Sequence, residues 1–246
     1  MKTYIAEIAG KDSIAAVHKI MRERAPATII PTVVYTGTEY GDFSSYTRSI
    51  DYLTKCGQLY GVSVEKTMIL HNEMLWNYIC VKYSNLLFQT YGIYTPCIMC
   101  HLFTHLLRIP IYLERKCEGI ITGERYSHKG KLKANQQQDT ISLFRSLFSG
   151  HRIALIQPLI DTEDTIIVDA EIKDYSYIST INDLKCVLSG NMSGVSLEEE
   201  ENLLKLRRYL DCFVSPVGEY LLQCYTKRLE IQYEELNQNI RRCLHE

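Results

Sequence analysis

Two groups of residues in this 246-residue chain carry chemistry in their types and spacing. The first is Ile8-Ala9-Gly10-Lys11-Asp12-Ser13, which joins an apolar, strand-like run (Tyr4 to Ile8) to a helix-like pattern with Ile14, Val17, Ile20 and Met21 on one face. A strand, a tight turn and a helix N-terminus make an anion site, because unpaired backbone N–H groups and the helix dipole point at whatever binds there. The expected anion is a nucleotide phosphate. The run is not a Walker-A loop: Ile5 stands where that motif has its first glycine, and Asp12 separates Lys11 from Ser13. The competing reading is a capped helix start, with Asp12 or Ser13 accepting a backbone N–H.

The second group is cysteine. Cys97-Ile98-Met99-Cys100, preceded by Pro96 and followed by an apolar helix pattern, puts two thiols within one turn. That spacing suits zinc, an iron–sulfur cluster or a redox pair. A structural zinc site takes four protein ligands; there is no second Cys-x-x-Cys, although His101 and His105 are adjacent candidates. Cys186, in Leu184-Lys185-Cys186-Val187-Leu188-Ser189-Gly190, is a further candidate, since the chain before it is able to return to the edge of a sheet.

The elements that must position these groups alternate. Apolar, β-branched runs at Tyr4 to Ile8, Thr28 to Tyr35, Val62 to Leu70, Gly119 to Thr122 and Arg152 to Leu159 are separated by helix-like segments at about 12–24, 44–60, 74–91 and 98–117. Such alternation predicts an α/β fold, a parallel sheet with helices on both faces and ligands at the carboxyl ends of its strands. Three runs end in polar loops there: Gly10 to Ser13, Thr36 to Asp42 and Gly123 to Gly130. The last is basic, with Arg125, His128, Lys129, Lys131 and Lys133; it reads either as a clamp for anionic groups or as a solvated loop, and Arg125 is the favoured anion ligand because it lies nearest the strand and guanidinium binds phosphate bidentately. Beyond Asp161 the pattern predicts a short helix at 174 to 184, a helix from a Ser196 capping box to about Asp211, and one long polar helix over 218 to 243 that either caps the sheet or pairs subunits in a homodimer. The organisation expected is a catalytic domain over 1–190 and a helical C-terminal tail over 191–246.

A net charge of −2 gives no global case for nucleic acid, so any such contact must be a local basic patch. The N-terminus has no secretory pattern and no apolar run approaches a membrane span, which predicts a cytoplasmic protein whose nine cysteines are thiols or metal ligands.

The first loop resembles the PP-loop, Ser-Gly-Gly-x-Asp-Ser, of the ATP pyrophosphatase superfamily: Gly10, Asp12 and Ser13 fit, while Ile8 replaces the serine and Ala9 the first glycine. The layout of this loop, then Pro-Cys-x-x-Cys opening a helix, then a lone cysteine after a long gap, is similar to the iron–sulfur tRNA thiolases of that superfamily. This resemblance implies a HUP-like (adenine nucleotide α-hydrolase-like) fold and a [4Fe-4S] cluster held by Cys97, Cys100 and Cys186, with zinc as the alternative; Cys56, Cys80, Cys117, Cys212, Cys224 and Cys243 are then small core residues. It also implies ATP and Mg²⁺ bound by Ala9, Gly10, Lys11, Asp12, Ser13, Thr36, Gly37 and Gly123, with Asp12, Lys11 and Arg125 catalytic. Asp12 would hold Mg²⁺ or position pyrophosphate, Ser13 would donate to a phosphate oxygen, and Lys11 would stabilise charge on the leaving group. The expected reaction adenylates an oxygen of tRNA or of a small molecule, then replaces it with sulfur from a donor. Two features are similar instead to phosphoadenylyl-sulfate reductases: Thr36-Gly37-Thr38-Glu39, and Thr122-Gly123-Glu124-Arg125 in place of the thiolases' Gly-His-x-x-x-Asp-Asp. A reductase acting on a sulfonucleotide, and a non-catalytic nucleotide- or redox-sensing subunit, are therefore the alternatives.

Overall fold

The computed structural model describes residues 1–126, 133–173, 184–188 and 197–245. His128, Lys129, Lys131, residues 174 to 183 of the helix expected at 174 to 184, Ser189, Gly190 and the Ser196 cap lie outside the described residues.

By its internal packing the chain forms two compact units, each assembled from three stretches: Met1–His71, Ile111–Lys131 and Ile153–Val187 in one, Asn72–Pro110, Leu132–Arg152 and Leu188–Glu246 in the other. The first holds the sheet. Strands β1 (Lys2–Glu7), β2 (Ala27–Val34), β4 (Ser63–Val64), β5 (Met68–Leu70), β6 (Gly119–Ile121) and β7 (Leu155–Ile156) are all parallel, in the order β4-β2-β1-β6-β7 with β5 also on β2. Every residue of β2 is buried, as a central strand covered on both faces requires. Helices α1 (Lys11–Arg24) and α2 (Ser44–Tyr60) follow β1 and β2, and α8 (Thr165–Ile172) packs along α1. Ile8, Ile14, Val17, Ile20, Leu53, Ile121 and Val168 share one core. A separate two-residue ribbon pairs β3 (Glu39–Tyr40) antiparallel with β8 (Lys185–Cys186).

The second unit is helical. It contains α3 (Glu73–Cys80), α4 (Ser84–Tyr91), α5 (Pro96–Leu106), α7 (Gln138–Gly150), α9 (Glu200–Tyr209), a π-helical turn at Leu210–Val214, α10 (Ser215–Thr226) and α11 (Tyr233–His245). A short α6 (Ile109–Glu114) leads back toward β6.

The α/β class, the parallel sheet and the helical C-terminal segment hold, and several boundaries move. The run from Val62 to Leu70 is two short strands rather than one, and that from Arg152 is a strand only at Leu155–Ile156. The 74–91 helix breaks at Val81–Tyr83 into α3 and α4. The long final helix breaks at Lys227–Gln232, where Arg228 takes a left-handed φ of 56°, so α10 and α11 fold onto each other and bury Leu222, Leu236 and Ile240 within their own unit. Helix α9 starts after Glu199, not after Ser196. Pro96–Glu114 forms a nearly continuous 19-residue helical path with mean hydropathy 1.2, long and apolar enough to cross a bilayer by those measures. The sequence reading found no such run; half of this one is buried inside the protein, as a core helix would be.

Candidate functional site

In the first unit the loop after β1 is fixed from both ends. Ile8 N–H donates to the Thr32 carbonyl (2.9 Å), and its side chain is buried in the core, so the residue that replaces the PP-loop serine contributes only backbone to the loop. Ala9 and Gly10 are exposed at the turn. Ser13, in the third residue of α1, folds its hydroxyl back: Oγ accepts from Ala9 N and Gly10 N (both 3.0 Å) and donates to the Gly10 carbonyl (2.7 Å). That is one half of a capping box. The capped-helix reading and the anion-site reading therefore describe the same turn, and Ser13 acts as the staple of the loop rather than as an outward-facing donor.

The loop after β6 closes on it. A Cβ on Gly123 would sit 2.4 Å from Ser13 N and 2.6 Å from the Asp12 carbonyl carbon, so only glycine lets the two backbones meet. Two residues on, Arg125 is buried to 1% exposure; its Nε and Nη2 both lie 3.2 Å from Asp12 Oδ2, and Nη1 donates to the Thr162 carbonyl at 3.1 Å in the loop after β7. Asp12 and Arg125, given separate tasks by sequence, are thus one ion pair tying three loops together. Lys11 Nζ points to α8 and pairs with Asp169 Oδ1 at 2.7 Å, partly exposed. Sequence reasoning missed Thr162 and also Glu124, a buried carboxylate that accepts from Thr122 Oγ1 and Gln157 Nε2 (both 2.6 Å) and holds the strand end beneath Gly123.

The loop after β2 turns at Gly37, whose φ of 80° suits glycine. Glu39 staples the turn by accepting from Thr36 N–H (3.1 Å) and Thr36 Oγ1 (2.8 Å). Thr36 Oγ1 lies 2.8 Å from Thr38 Oγ1, which in turn lies 3.1 Å from Cys186 Sγ. The ribbon places Cys186 directly across from Glu39, at the carboxyl end of β2 and next to the strand that carries the first loop. Cys186 thus reaches the loop that follows β2, on a ribbon separate from the parallel sheet.

Cys97 and Cys100 belong to the helical unit. Thr95 is the N-cap of α5, its hydroxyl accepting from Cys97 N–H (3.3 Å), and Pro96 occupies the first helical position, where its missing N–H costs nothing. Cys97 Sγ donates to the Leu188 carbonyl (3.2 Å), two residues along the chain from Cys186, and Trp76 Nε1 donates to Cys100 Sγ (3.3 Å). Cys80 lies against this pair: burial pushes its thiol well up, and contact with Cys100 adds to the effect. Sequence placed Cys80 in the core, which is right, but could not show that it touches Cys100. His105 is fully buried between Phe144 and Phe148, and His101 Nε2 is 3.0 Å from Asn135 Nδ2. All nine cysteines are free thiols; Cys212 is half-buried on the π-helical turn rather than in the core. Among the described residues no three His, Cys, Asp or Glu side chains are arranged as a ready metal site. Two sulfur donors one helical turn apart, Cys97 and Cys100, are chemically suited to a thiolate-binding metal.

A crystal structure of a 4-thiouridine synthetase with RNA and bound ATP matches 92% of this chain at 14% identity with a TM-score of 0.59. The chain spans about half (53%) of that synthetase's length. The chain therefore shares its fold with that synthetase. The U34-tRNA thiolase NcsA of Methanococcus maripaludis, solved with its [4Fe-4S] cluster, aligns over 94% of this chain and 74% of its own at 16% identity and a TM-score of 0.44. In sequence, the uncharacterized protein MJ0009 of Methanocaldococcus jannaschii is 28% identical over 228 residues, 89% of this chain and 79% of that protein. No family model matches.

Proposed function

We propose that this protein is an ATP-dependent enzyme that adenylates a substrate oxygen, releases pyrophosphate and then installs sulfur, with RNA of the tRNA kind as acceptor. The observation that carries the reading is the convergence, within one unit, of an anion loop after β1 and a thiol-bearing ribbon after β2, at the carboxyl ends of adjacent parallel strands. Chemistry on an α-phosphate and chemistry at sulfur then share one sheet edge.

In this mechanism the N–H groups of the first turn of α1, Lys11 to Ser13, receive the phosphates while Ser13 Oγ holds those of Ala9 and Gly10, and Asp12, oriented by Arg125, holds Mg²⁺ or the pyrophosphate. Lys11 leaves Asp169 for the leaving group. Gly123 keeps the loop closed against β6, and Thr36 and Gly37 border the nucleotide. Cys97, Cys100 and Cys186 would hold a [4Fe-4S] cluster, or zinc, and such a cluster would supply an iron site for an external sulfur donor's sulfide. Nine reduced thiols suit the cytoplasm.

With ATP, Mg²⁺, unmodified tRNA and a sulfide source, AMP and pyrophosphate should form; accumulation of ADP and phosphate would rule out attack at the α-phosphate. Protein purified without oxygen should carry about four irons per chain. Changing Cys97, Cys100 or Cys186 to Ser should remove most of that iron, and Cys117→Ser should not. One zinc per chain, or full iron content in Cys186→Ser, would discard the cluster.

A further inference from the structure

The β3–β8 ribbon has two faces with different chemistry. Residues directly opposite in an antiparallel pair share a face and successive residues alternate, so Glu39 and Cys186 lie on one side and Tyr40 and Lys185 on the other. The first side is taken up: Glu39 holds Thr36, and Cys186 touches Thr38. The second is bare, with Tyr40 50% exposed, Lys185 exposed beside it, and Val187, two residues further, 63% exposed. The same connection carries two more open rings, Tyr35 and Phe43, whose centroids are 6.2 Å apart.

This connection is built to be rigid. Asp42 accepts from Ser44 N–H (2.9 Å), Ser44 Oγ (2.6 Å) and Arg48 Nη1 (2.9 Å), and these bonds hold its carboxyl down to about 2. The side chains that remain available are flat aromatic faces and a cation. That combination suits an unpaired nucleotide, whose base stacks on an aromatic ring while its phosphate meets a lysine. It suits a protein partner less, because lysine is depleted from the cores of protein interfaces. It also supplies the local cationic contact that a chain of net charge −2 needs in order to hold RNA.

We propose that Tyr40 and Lys185 form a stacking platform for one unpaired nucleotide of an RNA acceptor, on the opposite side of the ribbon from Cys186. The platform rests on the reading that the acceptor is RNA. It receives a neighbour of the reacting nucleotide, because the ribbon separates it from the Cys186 sulfur.

The test uses the full chain with two probes, an unmodified tRNA transcript and a single-stranded oligoribonucleotide carrying 2-aminopurine. Wild-type protein should quench the 2-aminopurine fluorescence on binding. Tyr40→Ala should lose the quench and weaken tRNA binding on the order of ten-fold, as for one lost stacking contact; Tyr40→Trp should restore both. Lys185→Ala should lower the salt slope of tRNA binding by about one. Melting temperature and ATP binding should stay unchanged in all three. Unchanged quench and tRNA affinity in Tyr40→Ala would overturn the platform, as would a wild-type protein that binds neither probe, whether it captures a protein instead or not. The two readings fail separately: AMP formed with a small-molecule acceptor and no RNA binding sinks the platform alone, whereas Tyr40-dependent RNA binding without AMP sinks the proposed reaction alone.

Discussion

The starts of α1 and α5 are both helix N-termini, yet they are assembled from opposite materials. At α1 the working surface is backbone: Ala9 and Gly10 are exposed, and the neighbouring side chains are occupied with one another, Ser13 with the turn, Asp12 with Arg125, Lys11 with Asp169. At α5 Thr95 takes the Cys97 N–H and Pro96 contributes no donor, and the chemistry-bearing side chains are thiols. One helix end offers main chain at an exposed turn, and the other carries two thiols on its own side chains.

The largest effect that would break this contrast is at Arg125. Arg125→Ala leaves the Asp12 carboxylate without its buried partner and should cost about 3 kcal/mol of stability, together with nucleotide binding; urea titration and ATP binding read both. Retained binding in a folded variant would mean that Asp12 does not depend on the pair. Next is Gly123→Ala, whose Cβ meets the Asp12–Ser13 backbone and should cost about 1–3 kcal/mol, whereas Gly10→Ala, with nothing within 4 Å of its new Cβ, should leave stability nearly unchanged and lower ATP affinity only. Equal melting temperatures for the two alanine variants would contradict the close approach of the loops. Thr95→Ala removes a cap and should cost about 1 kcal/mol; it should lower the melting temperature and leave ATP binding untouched, which sharpens the division of labour between the two helix ends.

The smallest effect is in alkali. Burial pushes the Cys117 thiol up to about 11 from an ordinary value of 9.0. Between those values the native protein keeps a proton that the unfolded chain has lost, so stability falls as pH rises through the window. A pH series of denaturation midpoints should show that decline, and Cys117→Ala should lessen it. A decline of equal size in the variant would assign it to other groups, such as Cys56 and Cys80, whose thiols burial also raises.

Sequence alone determined the alternation of strand and helix, and with it the parallel sheet and the strand ends that carry the polar loops. Hydrophobic periodicity and connection length are local properties, and β1, β2, α1 and α2 follow them closely. It was weakest where tertiary packing decides. A two-residue strand such as β3 has no period to read. The break at Arg228 shows only as a bend that lets Leu236 and Ile240 reach α10 and its neighbours. The site divides in the same way. Gly10, Asp12 and Ser13 were legible because a turn into a helix leaves a compositional mark. That Asp12 and Arg125 form one ion pair, that Gly123 must be glycine because Ser13 is there, that Cys80 touches Cys100, and that Cys186 faces Glu39 while Tyr40 faces Lys185 were decided by tertiary structure alone. Each is a meeting of residues far apart in the chain, and a linear pattern records what a residue is, not what it comes to lie against.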